Sequence, residues 1–124
     1  MKLGAFSISL TVKDIHKSLA FYKRLGFKEF GGDVSQNWVI LKNETTMIGL
    51  FQDMLPSNIL TFNPGWNHNA ENIEPFDDVR TIEKTLLDAG ITLSRQTEQP
   101  EGPEYITLED PDGNQIMFDQ HRDN

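Results

Sequence analysis

The chain of 124 residues contains no cysteine. That excludes a disulfide framework, a thiolate nucleophile and any Cys-ligated zinc or iron–sulfur site. It also suits a reducing compartment, so the expected location is the cytoplasm. Basic residues are few: 11 Lys and Arg against 19 Asp and Glu leave a net charge of -8. A phosphate backbone or an anionic membrane surface attracts a basic stripe, so neither nucleic acid nor membrane is an expected partner. Long apolar runs are missing too, and none approaches the roughly 18 residues that a spanning helix needs. The opening MKLGAFSISLTV alternates apolar with polar residues after a single Lys, unlike a signal-peptide core. There is no Gly-x-Ser-x-Gly elbow and no phosphate loop, and no two histidines stand at i, i+4. What is present is an acidic chain long enough to bury about two thirds of its unfolded surface in one domain.

Residues 6–12, Phe-Ser-Ile-Ser-Leu-Thr-Val, alternate with period two and read as a half-buried strand. Ile8, Leu10 and Val12 share one face, and Ser7, Ser9 and Thr11 the other. Asp14 is an N-cap candidate for a helix with Ile15, Leu19, Tyr22 and Leu25 at helical spacing, and Gly26 supplies its left-handed end. A strand over 27–30 and a hairpin over 38–42 and 47–52 follow. Residues 53–69, with Pro56, Pro64, Gly65 and several Asn, read as a linker. A weak strand over 71–76, a helix capped by Asp78 and closed by Gly90, a strand over 91–95 and a hairpin over 104–108 and 115–120 complete the chain.

The order of elements recurs. Asp14 to Gly26 and Asp78 to Gly90 both span twelve positions, and the hairpins match at nearly the same offset. The chain therefore reads as a single domain, 1–124, made of two βαβββ modules at about 5–53 and 70–121 joined by a linker over 54–69.

Val12-Lys13-Asp14, Ser18-Leu19-Ala20-Phe21-Tyr22 and Leu25-Gly26-Phe27 resemble the opening module of the vicinal oxygen chelate superfamily, and Asp110-Pro111-Asp112-Gly113-Asn114 resembles its closing hairpin turn. That superfamily includes glyoxalase I, extradiol dioxygenases, fosfomycin-resistance transferases and bleomycin-resistance proteins. The resemblance covers about residues 5–121. It implies an α+β fold in which two βαβββ modules form a curled mixed sheet around a cavity, with one helix outside each, and it implies a homodimer.

Enzymes of the superfamily hold a divalent cation with His, Glu or Gln from four strands. Mapped onto this chain, the four positions read Ser7, Gly49, Glu71 and Met117. Only Glu71 is a good donor for a hard or borderline cation, since a thioether prefers soft metals and glycine has no side chain. The expectation is therefore no metal ion and a cavity that binds a small organic molecule. Ser7, Ser9, Trp38, Gly49, Phe51, Met117 and Asp119 are the expected ligand-binding residues, with Trp38 and Phe51 available for stacking. The alternative is a divalent-metal-dependent lyase or dioxygenase of the glyoxalase I type, with Glu71 as catalytic base or ligand. A third reading is a dimeric module whose cavity is filled by its own side chains. His16 and His68 are placed at the surface, and His121 follows the last strand, with no histidine pair at ligand spacing.

Overall fold

In a computed structural model that describes residues 1–124, the chain has seven strands, two α-helices and a 3-10 turn. The strands run in both directions, so the expected α+β class with mixed strand pairing holds. Residues Ser7–Ile59 form one compact unit, and Met1–Phe6 with Leu60–Asn124 form the other.

The Ser7–Ile59 unit contains β1 (Ala5–Val12, from Ser7 onward), α1 (Ile15–Arg24), β2 (Lys28–Asp33), β3 (Trp38–Asn43) and β4 (Thr46–Gln52). β1 pairs parallel with β4, β4 antiparallel with β3, and β3 antiparallel with β2. Asp14 caps α1 by accepting the amides of His16 and Lys17. At the other end Gly26, at φ +96, lets the amides of Phe27 and Gly26 turn back onto Tyr22 and Lys23 carbonyls. Ile15 is buried against Val39, Leu41 and Leu50, and Leu10, Val12, Leu19 and Tyr22 pack around them. Alternation along the strands then places Ser7, Ser9, Thr11, Trp38, Gly49 and Phe51 on the face turned away from α1.

The other unit contains β5 (Ile59–Asn63, from Leu60 onward), α2 (Val79–Asp88), β6 (Glu104–Glu109) and β7 (Gln115–Gln120), with the strands in the order β5, β7, β6. α2 repeats the devices of α1. Asp78 caps it, and Gly90, at φ +80, ends it with the amides of Ile91 and Gly90 on the carbonyls of Leu86 and Leu87. Val79, Ile82 and Leu86 bury against Ile106, Leu108 and Phe118. Thr107, Met117, Asp119 and Tyr105 alternate with these residues and lie on the opposite face.

The second half departs from the expected module in two places. The strand opening it is β5, inside the expected 54–69 linker, and not residues 71–76. Pro56 and Pro64 do not exclude a strand here because they flank it. Asn63-Pro64-Gly65-Trp66 is a turn closed by the Trp66 amide on the Asn63 carbonyl at 3.1 Å, with Gly65 at φ +85. Residues 71–76 make only one bridge, Trp66 with Asn72, and the expected strand over 91–95 only one, Arg95 with Thr107. Beyond Arg95 the chain is drawn away by Glu104, whose carboxylate accepts the amides of Glu98 and Gln99 at 2.7 and 2.8 Å. Arg80 holds the same loop through the carbonyls of Gln99 and Gly102.

Candidate functional site

Each unit presents one sheet face without its own helix, and the expected site residues divide between those faces. In the Ser7–Ile59 unit, register places Ser9, Gly49, Ile40 and Gly31 in one cross-strand row and Thr11, Phe51, Trp38 and Asp33 in the next. Ser7 is half-buried and Ser9 is buried. Trp38 and Phe51 are nearly parallel, with ring centroids 6.3 Å apart and an interplanar angle of 9°.

Both rings lie low over glycines. A Cβ on Gly49 would stand 2.7 Å from Phe51 Cε2 and 3.2 Å from Ile40 Cδ1. One on Gly32 would stand 2.8 Å from Trp38 Cε3. The sequence therefore needs glycine at 49 and 32 for the two aromatic rings to lie flat. Asp33 closes the row beyond Trp38. Its carboxylate accepts both the hydroxyl and the amide of Ser35, which hold its pKa below the ordinary aspartate value. A negative charge thus stays at the end of the aromatic row. At the other end the Thr11 hydroxyl donates to the Leu55 carbonyl at 3.2 Å.

In the second unit, Asp119 and Met117 are half-buried on β7, opposite Tyr105 and Thr107. Asp119 Oδ2 lies 3.2 Å from His121 Nε2. The His121 ring stacks on Trp66 at 4.9 Å and 27°. The hydrogen bond to Asp119 raises the His121 pKa against an opposing effect of burial. His121 follows the last strand and lacks an i, i+4 partner, so no ligand spacing along the chain marks it. The signal that finds it is period-two alternation, which puts Met117, Asp119 and His121 on one face.

Glu71 lies in none of these rows. It is exposed in the turn after Trp66, its carboxylate accepting from Asn67 Nδ2 at 3.1 Å and its amide donating to Asn67 Oδ1. The offset from Asp78 that selected it assumed a strand over 71–76, and the strand is β5. His16 and His68 are exposed, as expected.

The architecture and the sequence agree on a family. The family model for the Glyoxalase/Bleomycin resistance protein/Dioxygenase superfamily matches residues 4–118, and the chain belongs to that superfamily. Among solved structures, a glyoxalase/bleomycin resistance protein/dioxygenase superfamily member from Vibrio splendidus 12B01 is 15% identical with a TM-score of 0.64, over 93% of this chain and 97% of that one. A protein described as an NAD-dependent benzaldehyde dehydrogenase from Legionella pneumophila is 17% identical with a TM-score of 0.70, over 94% and 99%. An extradiol ring-cleaving dioxygenase from B.fuscum is 19% identical with a TM-score of 0.62. It matches 98% of this chain, which spans only 33% of that enzyme. At these identities the likeness is one of fold. No curated protein matches the chain.

The superfamily implies a divalent metal, and the residues here do not fit one. Of the four mapped positions, Ser7 offers a hydroxyl, Gly49 nothing, Met117 a thioether, and Glu71 is bound up in its own turn. Nowhere do three His, Asp or Glu side chains come together. The space a ligand side chain would need above Gly49 is taken by the Phe51 ring.

Proposed function

We infer that this chain binds a small planar organic cation on the sheet face that carries Trp38 and Phe51, without a divalent metal. The observation that carries this reading is the nearly parallel pair of rings lying over Gly32 and Gly49. A flat aromatic surface stacks planar π systems and attracts cations through the ring quadrupoles. The Asp33 carboxylate at the end of the row and the net charge of -8 favour a positive ligand over an anion. Ser9 and Thr11 border the surface with small polar groups, a composition common to organic-ligand sites. The assembly proposed is a homodimer. Supporting it are the exposed apolar side chains of Phe21 and Leu25 on and just beyond α1, which a monomer leaves in water. No helix is long and apolar enough to cross a membrane, and the absence of cysteine supports a cytoplasmic setting.

Calorimetric titration with 9-aminoacridine, a flat monocation, tests the binding. Binding is expected, weakened at least tenfold by Trp38→Ala or Phe51→Ala and less by Asp33→Asn. Equal affinity in wild type and Trp38→Ala would overturn the reading. Light scattering tests the assembly, with a mass of twice 14.2 kDa expected.

A further inference from the structure

The geometry points to a second centre, independent of the aromatic surface: Asp119 and His121 form a general-base pair that activates water on the face of β7 turned away from α2. The carboxylate and the imidazole meet at 3.2 Å through Nε2, so Nδ1 is the nitrogen left to accept a proton. The ring is fixed on its flat side as well, since it stacks on Trp66. Trp66 is anchored in turn. Its Nε1 donates to Asn72 Oδ1 at 3.1 Å, its amide donates to the Asn63 carbonyl, and its carbonyl accepts the Ala5 amide. Asn63 also donates its side-chain amide to the Asp119 carbonyl at 2.9 Å, so Trp66 and Asp119 are referred to one residue. An imidazole held by a carboxylate on one nitrogen and by stacking on its face, with its other nitrogen free, is the arrangement that general-base catalysis requires.

The His121 side chain is 46% exposed, so the acid at hand for Nδ1 is water. The step balances without a cofactor. With 4-nitrophenyl acetate as the probe, Nδ1 takes a proton from water as the water oxygen bonds to the acyl carbon. The bond from that carbon to the aryl oxygen then breaks, the phenolate leaves, and the imidazolium returns its proton to solvent. Asp119 carries the charge opposite the imidazolium. The other ionisable groups nearby are already engaged. Tyr105, across from Asp119, lies under the Arg95 guanidinium at 3.7 Å. Arg122 is turned to Glu74 and the Phe76 ring, and Glu71 to Asn67. His68, in the same turn as Glu71, is exposed.

The probe is 4-nitrophenyl acetate, with release of 4-nitrophenolate followed across pH 5–9. Wild type is expected to hydrolyse it above buffer, with a rate that rises through an apparent pKa above the ordinary histidine value. His121→Gln should lower the rate by about 10²-fold, the usual scale for a general base. His16→Gln and His68→Gln should leave it unchanged. Asp119→Asn should lower the rate and move the pH midpoint downward, a shift that a purely structural role for Asp119 would not produce. A rate in His121→Gln equal to wild type, or an equal loss in His16→Gln or His68→Gln, would overturn the proposal. Far-UV circular dichroism of each variant confirms that the fold is kept.

Discussion

Gln120, the last residue of β7, accepts the amide hydrogen of Val79 on its Oε1 at 2.8 Å, although 41 positions separate them in the chain. Gln52, the last residue of β4, does the same for Ile15 at 2.8 Å. In both units a strand-end glutamine thus satisfies the first amide of the helix, while the capping aspartate takes the amides that follow. Gln120 goes further: its Nε2 donates to Asp78 Oδ2 at 2.9 Å. Burial pushes the Asp78 carboxyl up, but the Arg80 amide, the Gln120 side chain and the Arg80 guanidinium outweigh it and hold its pKa low.

Gln120 is fully buried. Gln120→Leu leaves the Val79 amide and the Asp78 carboxylate without this partner, and should lower the unfolding free energy by roughly 2–3 kcal/mol. Gln52, half-buried with a single such bond, should lose only about 1 kcal/mol as Gln52→Leu. Urea denaturation of the two variants measures the difference.

Glu104 has a side chain only 5% exposed that pairs with Arg95 at 2.9 Å. The amides of Glu98, Gln99 and Tyr105 lower its pKa to about 2, against an opposing effect of burial. A depressed carboxylate stabilises the fold above its unfolded pKa, and that contribution is lost as pH falls toward 2. Glu104→Gln should therefore cost about 2 kcal/mol at pH 7, where charged acceptance is replaced by a neutral amide. The gap to wild type should close as the acid limb is descended. Denaturant unfolding at several pH values reads this directly, and a gap that widens toward acid would contradict it.

Gly49→Ala should destabilise by about 1–2 kcal/mol, because a Cβ at 2.7 Å forces the Phe51 ring upward. In a Phe51→Ala background the same change should cost much less. A double-mutant cycle gives the coupling, and simple additivity would show that the ring does not occupy this space.

Arg122 joins the end of the chain to the loop after β5. Its guanidinium donates to the Gly65 and Ile73 carbonyls and to Glu74, and lies 3.8 Å from the centre of the Phe76 ring. With Arg122→Ala these carbonyls lose a charged donor, and stability should fall by about 2 kcal/mol. Hydrogen exchange should accelerate at the amides of Trp66 and Ile73, while those of α1 remain as protected as in wild type.

Much of the fold was legible because its signals are local. Asp14 and Asp78 mark helix starts, Gly26 and Gly90 mark their ends, and the patterns over 6–12, 38–42, 47–52, 104–108 and 115–120 mark strands. β5 was not legible. Ile-Leu-Thr-Phe between two prolines carries few residues, and the breakers around it dominate a reading of composition. Missing β5 misplaced Glu71, since a ligand position counted back from Asp78 is meaningful only if a strand lies there.

By itself the sequence determined the superfamily and the repeated helix caps, because each depends on residue type at fixed spacing. Only the tertiary structure decided that Phe51 lies over Gly49, that Trp38 runs parallel to it, and that His121 meets Asp119 on the face of Trp66. Those relationships depend on strand register and on how rings settle over glycine, and spacing along a chain does not encode which way a ring lies.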